Sequence, residues 1–216
     1  MGIIYYIYLL FIIIFLLNLL KNSDKISGIK VKVYIKISLL IFFIRYITLM
    51  FFRICNSTRY LYMLKSTIFI NALGIIMLTI MFIYVFLKKN NINFKYNYCL
   101  ALSFTGAYFT LIKFVNVKII YNVNFGYVIS EISNYFKVSF AYLFSISLLL
   151  IISILFLDKK NAETKNIVVL VLILAFIIFE NILFMCGIRI LPYVMISDLP
   201  CLIFLKYVIK KLPKSN

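Results

Sequence analysis

The chain alternates between long apolar stretches and short polar stretches, and the polar stretches hold most of its lysines. Each apolar stretch is close to the length of about 20 residues that a helix needs to cross a hydrocarbon core of roughly 30 Å. The pattern predicts an all-α fold, a polytopic transmembrane helical bundle of about seven spans that forms a single domain over residues 1–216. The predicted spans cover residues 3–20, 37–54, 67–87, 97–112, 138–157, 167–187 and 190–209.

The first, fourth and seventh predicted spans carry further sequence signals about their orientation and length. No basic residue precedes the first span, and Lys21 and Lys25 follow it. A cleaved signal peptide has the opposite order, with a basic start, so we expect this span to be retained with its N-terminus outside. The fourth span could extend through Lys113 and Lys118, and Pro192 and Pro200 interrupt the seventh.

The composition explains why lipid must act as the solvent for this chain. Hydrophobic residues make up 65% of it and charged residues 13%, with a mean hydropathy of +1.10, whereas soluble domains hold about 25% charged residues. The net charge of +17 comes from lysines and arginines concentrated between the spans. Segments on the predicted inner side hold about twice as many of them as the outer segments, which predicts a cytoplasmic C-terminus. The charge therefore indicates orientation in a bilayer and not a nucleic-acid partner.

Residue types that carry catalysis or hold metals are scarce. The chain has no histidine, which removes most zinc sites and the Ser-His and Cys-His nucleophiles. Its four cysteines show no CxxC spacing and read as small apolar residues. We therefore predict no enzymatic activity, no catalytic residue, no metal site and no cofactor.

Three ionisable residues lie inside predicted spans, namely Arg45, Glu180 and Asp198. Each costs roughly 2.5–3.5 kcal/mol at the centre of a membrane helix, so such residues are usually paired or functional. Counting residues along the spans places all three at a similar depth in the outer half. We expect them to form an intramembrane polar cluster, with Asn181 beside Glu180 as a further hydrogen-bonding group. Such a cluster could be a packing clamp or could line a ligand site.

Several short segments resemble a known family. They are Arg59 to Lys65, Phe125-Gly126-Tyr127, Lys159-Lys160, Glu180-Asn181-Ile182-Leu183 and Asp198-Leu199-Pro200. In their order and placement they resemble the N-terminal seven-helix sensor region of bacterial histidine kinases and diguanylate cyclases. The last segment departs from the family pattern by one residue of spacing. The resemblance implies a receptor-like membrane sensor module that signals through a partner, because no kinase or cyclase sequence follows.

Two other functions remain open from the sequence alone. A membrane subunit of a transporter or permease would explain a broken seventh helix. A non-catalytic hydrophobic subunit of a larger membrane complex needs no site at all. In each case the expected partners are the lipid bilayer and a protein partner or larger membrane complex. The expected location is the bacterial cytoplasmic membrane, with an organellar inner membrane as the alternative.

Overall fold

A computed structural model describes residues 2–54, 58–87, 94–133, 135–157 and 163–214 of the chain, and most of these residues are helical. The helices are α1 Gly2–Ser23, α2 Ile29–Ile54, α3 Thr58–Met63, α4 Lys65–Ile68, α5 Asn71–Phe86, α6 Lys95–Lys113, α7 Tyr135–Leu155, α8 Thr164–Met185 and α9 Asp198–Lys211. Two strands, β1 Asn116–Asn122 and β2 Gly126–Ser133, stand between α6 and α7.

Helices α1 and α2 pack against each other along their length and are joined by a short turn. Helix α2 begins at Ile29, earlier than the predicted residue 37, so the lysines that were expected in a loop lie on its first turns. Asp24, in the turn, forms ion pairs with Lys32 and Lys36. These pairs, one and two turns into α2, stabilise the start of the helix.

Helix α5 is the centre of the bundle and contacts α2, α6, α7, α8 and α9. Nearly all of its residues are buried, whatever direction they face, as expected for a helix that is apolar all round. The predicted third span, residues 67–87, is broken at its start, where the short helix α4 precedes α5. At Gly74 the ring of Phe42 from α2 approaches the α5 backbone closely, so α2 and α5 meet at a residue without a side chain.

The predicted helical class is confirmed, and the two strands add a small hairpin that the prediction did not include. They pair antiparallel from Asn116↔Ser133 to Asn122↔Gly126, with an irregularity between Lys118 and Ile119. The fourth span therefore does not extend through Lys118, because the helix ends at Lys113. This hairpin packs against α2 and α3 at the end of the bundle where α1 begins, since the Tyr6 hydroxyl donates to the Phe125 carbonyl at 2.7 Å.

The seventh predicted span is also different. Helix α9 begins at Asp198 and not near residue 190, and Pro200 lies in its first turn, where a missing N–H is tolerated. Residues 186–197, which we call the linker, are not helical. With its 14 residues, α9 is about 21 Å long. It is shorter than the roughly 30 Å that a membrane helix needs.

In the described part of the chain, three helices are long and apolar enough to cross a membrane: α1, α2 and α8. Helix α5 and residues 139–155 of α7 are apolar but shorter. The exposed residues of these helices are largely isoleucine, leucine and phenylalanine. A mostly helical fold with lipid-compatible surfaces is compatible with an integral membrane protein.

Candidate functional site

The linker enters the bundle from the hairpin end and places polar backbone groups among apolar helices. Tyr193, Met195 and Ser197 are buried. In a low-dielectric interior each unsatisfied N–H or carbonyl costs several kcal/mol, so a non-helical segment needs side-chain partners. The residues that supply these partners form the candidate site.

Glu180 of α8 binds the linker backbone immediately before α9. Its Oε1 accepts the N–H groups of Met195 at 3.0 Å and Ile196 at 2.9 Å, and its Oε2 accepts the N–H of Ser197 at 2.7 Å. Backbone N–H groups at the start of a helix attract anions, and the helix dipole adds to this attraction. Glu180 is thereby a carboxylate cap for a helix that starts inside the bundle.

Arg45 of α2 binds the same region from the opposite side. Its Nη1 forms an ion pair with Asp198 Oδ2, its Nη2 donates to the Val194 carbonyl at 2.5 Å, and its Nε donates to the Ile68 carbonyl at 3.0 Å. Both Arg45 and Asp198 are buried. The planar guanidinium group, with its fixed donors, therefore joins α2, the end of α4, the linker and α9.

Two tyrosines complete this arrangement. The Tyr46 hydroxyl donates to Asp198 Oδ2 at 2.8 Å, and the Tyr8 hydroxyl donates to the Met195 carbonyl at 2.7 Å. We call Arg45, Glu180 and Asp198, with Tyr8 and Tyr46, the anchor cluster. It brings α1, α2, α8 and α9 together around the linker.

The structure places the four predicted site residues in different roles. Arg45 and Asp198 are in direct contact, and Glu180 is joined to them through the linker backbone and not by an ion pair with Arg45. Asn181 donates to the Ile177 carbonyl of its own helix at 2.8 Å and faces a neighbouring cavity. The polar cluster thus consists of the three ionisable residues, and Asn181 belongs to the cavity wall.

The cavity adjoins the anchor cluster and has a volume of about 260 Å³. Its walls come mainly from α5, α6, α7, α8 and the linker, with Arg45 of α2, Ile68 of α4 and Ile129 of β2, and they are mostly apolar. Among the polar residues that line it are Arg45, Tyr142, Asn181 and Arg189. The Tyr142 hydroxyl is buried and has no hydrogen-bond partner within the described residues. A mainly apolar cavity with a few convergent polar groups is the usual form of a small-molecule site.

Arg45 belongs to both the anchor cluster and the cavity, because it lines the cavity and also binds Asp198 and Val194.

No family model, curated protein or solved structure matches the chain. The chemistry of the site therefore has to be inferred from its own groups. In the described ranges there is no group of three His, Cys, Asp or Glu side chains that could hold a metal ion.

Sequence reasoning missed Tyr8, Tyr46, Tyr142 and Arg189. Tyrosines near the ends of membrane helices usually act as interfacial anchors. For this reason a tyrosine several residues inside a span is easily assigned the same role. Distance from the span end could have distinguished them, since a tyrosine hydroxyl in hydrocarbon needs a partner. Arg189 lies beyond the end of α8 and gave no signal other than its charge.

At the other end of the bundle, the basic residues form a second polar region. Ser27 N–H donates to the Pro213 carbonyl at 3.0 Å, and Lys211 forms an ion pair with Glu163. The hydrogen bond from Lys36 lowers the pKa of the exposed Asp24 carboxyl below its ordinary value. These contacts join the end of α9 to the α1–α2 turn and to the start of α8. We call this region the basic end.

Proposed function

We propose that this protein is a receptor-like membrane sensor, in which the cavity takes up a small ligand and α9 transmits its presence to a partner protein. The observation that carries this proposal is the double role of Arg45, which lines the cavity and binds the first residue of α9. A ligand that displaces Arg45 or the linker would necessarily displace the start of α9.

The far end of α9 provides a route for the signal. From Asp198 to Lys211 the helix is about 21 Å long, and its C-terminal turn is held by the ion pair between Lys211 and Glu163. One end of α9 lies at the ligand cavity and the other at the surface, so a movement of the first end would also move the second. Lys210 and Lys211 lie in the last turn of α9. A partner with an acidic surface would therefore complement the positive charge at this end of the helix.

The membrane arrangement that fits this proposal has seven crossings, with the hairpin end outside and the basic end in the cytoplasm of a bacterial cell. Helices α1, α2, α5, α6, α7 and α8 supply six crossings, and the linker with α9 supplies the seventh. The lysine-rich turns then lie on the cytoplasmic side, as the positive-inside rule requires. The hairpin has open strand edges, which have to stay out of the hydrocarbon region.

A transporter is the second candidate, favoured by the helix that starts within the bundle. Discontinuous helices with their N-termini near the middle of the membrane are common at transporter substrate sites. In that case the cavity would open alternately to the two sides of the membrane. In a sensor the cavity would be open to water from the hairpin side only, whether or not the bilayer also reaches it.

Cysteine labelling distinguishes the two functions. Ala107→Cys and Ser145→Cys, each introduced after replacement of the four native cysteines, place a thiol in the cavity wall. The sensor predicts that a membrane-impermeant maleimide reacts from the hairpin side alone. Asn22→Cys, near the basic end, is the control for reagent leakage. Labelling of the cavity positions from both sides, with leakage excluded, would contradict the sensor and support the transporter.

A further inference from the structure

Helices α6 and α7 form two sides of the cavity wall. Helix α6 packs on α5, and α7 packs on α5 and α8, but in the described residues α6 and α7 make almost no contact with each other. Ala107 and Leu111 of α6 line the cavity and are also exposed to solvent. In the proposed membrane arrangement, the seam between α6 and α7 is the route by which a ligand would enter the cavity from the bilayer.

The charged side chains that line the cavity in the described part of the chain are both arginines. Arg45 uses its nitrogens on Ile68, Val194 and Asp198. Arg189 is exposed, stacks on the Phe184 ring at 4.7 Å, and has no carboxylate partner among the described residues. Arg189 is therefore the cation available to a ligand.

The Tyr142 hydroxyl gives a second, independent indication of a ligand. It is buried, lines the cavity, and lacks a hydrogen-bond partner in the described ranges. A buried hydroxyl without a partner loses free energy that a ligand oxygen would restore. The rest of the wall, including Ile76, Phe104 and Leu111, is apolar.

We infer that the cavity binds a lipophilic carboxylate that enters from the bilayer between α6 and α7. Its carboxylate group pairs with Arg189, and the Tyr142 hydroxyl donates to one of its oxygens. A cavity of about 150 Å³ holds benzene, so the volume of about 260 Å³ holds roughly ten non-hydrogen atoms by the same scaling. This is the size of octanoate.

The sequence offers a direct way to observe this binding. The chain contains no tryptophan, so Phe104→Trp introduces a single tryptophan into the cavity wall, whose emission can be excited separately from that of the tyrosines. Phe109→Trp is the matched control, because Phe109 is on the same helix, is 51% exposed, and does not line the cavity. The protein is reconstituted in phosphatidylcholine vesicles and titrated with brominated octanoate, which quenches tryptophan on contact.

Saturable quenching is expected for Phe104→Trp, whereas Phe109→Trp should show only a linear rise as the probe partitions into lipid. Octanoate should displace the probe, and octylammonium should not. Linear quenching at both positions would overturn the inference, because the probe would then reach the protein only as a bilayer component.

Two pairs of variants test the residue assignments in the same assay. Arg189→Gln should weaken binding about fivefold, the effect of an ion pair worth about 1 kcal/mol. Arg53→Gln, which removes an arginine stacked on Tyr6 away from the cavity, should leave binding unchanged. Tyr142→Phe should likewise weaken binding about fivefold. Tyr34→Phe is its control, because Tyr34 has a buried, unpartnered hydroxyl that does not line the cavity.

Equal effects of Arg189→Gln and Arg53→Gln, or of the two tyrosine variants, would also overturn the inference. The inference rests on the proposed ligand-binding role of the cavity, yet the two can fail separately. One-sided cysteine labelling with no saturable octanoate binding would retain the sensor and remove this ligand class. Saturable binding with labelling from both sides would retain the ligand and remove the sensor.

Discussion

Arg45 is the residue on which most of the site depends. It compensates the buried Asp198 carboxylate and satisfies two carbonyl groups that no helix hydrogen bond reaches. Burying a charge is tolerated only with such partners, and breaking a buried pair by removing one member usually costs about 3–5 kcal/mol. A packing role and a signalling role both require the ion pair between Arg45 and Asp198. Its contribution to the free energy of unfolding therefore has to be measured before its contribution to function.

We expect Arg45→Met to lower the free energy of unfolding by about 3–5 kcal/mol, because Asp198 is left buried and uncompensated. The double variant Arg45→Met/Asp198→Asn should recover part of this loss. The measurement is thermal unfolding in detergent, with Arg53→Met as a surface control. A double variant no more stable than Arg45→Met would show that the loss does not come from the uncompensated charge.

At the scale of elements, Glu180 determines where α9 begins. Its two oxygens hold three consecutive N–H groups, and the glutamine side chain offers only one carbonyl oxygen. Glu180→Gln should therefore release the Ser197 N–H and raise amide exchange in the linker about tenfold or more, since a hydrogen bond to a charged group contributes about 1.5–3 kcal/mol.

Hydrogen exchange with mass spectrometry measures this effect, and Glu163→Gln provides the control. Glu163 pairs with Lys211 at the basic end, so its substitution should change exchange there and not in the linker. Unchanged linker exchange in Glu180→Gln would mean that α9 starts at Asp198 without help from this carboxylate.

The contact between α2 and α5 depends on a glycine. A Cβ at Gly74 would lie 2.8 Å from the Phe42 ring, whereas a Cβ at Gly106 would meet nothing within 4 Å. Gly74→Ala should destabilise the protein by about 1–3 kcal/mol through overpacking. Gly106→Ala should be neutral or stabilising by up to about 1 kcal/mol, since glycine disfavours a helix interior. Thermal unfolding of the two variants tests the prediction, and equal melting temperatures would contradict it.

The elements show what the sequence could predict and where it failed. Long apolar runs identified α1, α2 and α8, because hydropathy over about 20 residues is a strong signal. The start of α9 could not be placed, since Glu180 and Arg45 decide it from other helices. The hairpin had a usable signal in Val117, Ile119 and Tyr121, which alternate before the turn at Gly126. Its apolar run is shorter than a membrane span and therefore falls between the predicted fourth and fifth spans.

The candidate site was partly predictable for a related reason. The insertion cost of charged groups singles out Arg45, Glu180 and Asp198, because each lies inside a predicted span. Whether each charge meets another charge or a backbone group depends on the path of the linker, which local sequence does not specify. The cavity could not be predicted at all, because it depends on how α5, α6, α7, α8 and the linker pack together.

For the whole molecule, the two ends of the bundle should lie on opposite sides of the membrane. Asn124, in the hairpin turn, and Asn22, near the basic end, are the positions to compare as single cysteines. With seven crossings, an impermeant reagent outside cells should label Asn124→Cys alone, and Asn22→Cys should react only after permeabilisation. Labelling of both positions from the same side would contradict the proposed topology.

The central claim is that Arg45 couples the cavity to the far end of α9. Amide hydrogen exchange in Arg45→Lys tests this claim most directly, because the substitution keeps the positive charge and removes the planar guanidinium group with its several donors. We predict faster exchange both in the linker and at Ser27 and Leu212 of the basic end, with α6 unchanged as an internal control. Arg53→Lys should change none of these. Faster exchange confined to the linker, with Ser27 and Leu212 as in the unsubstituted protein, would contradict the coupling.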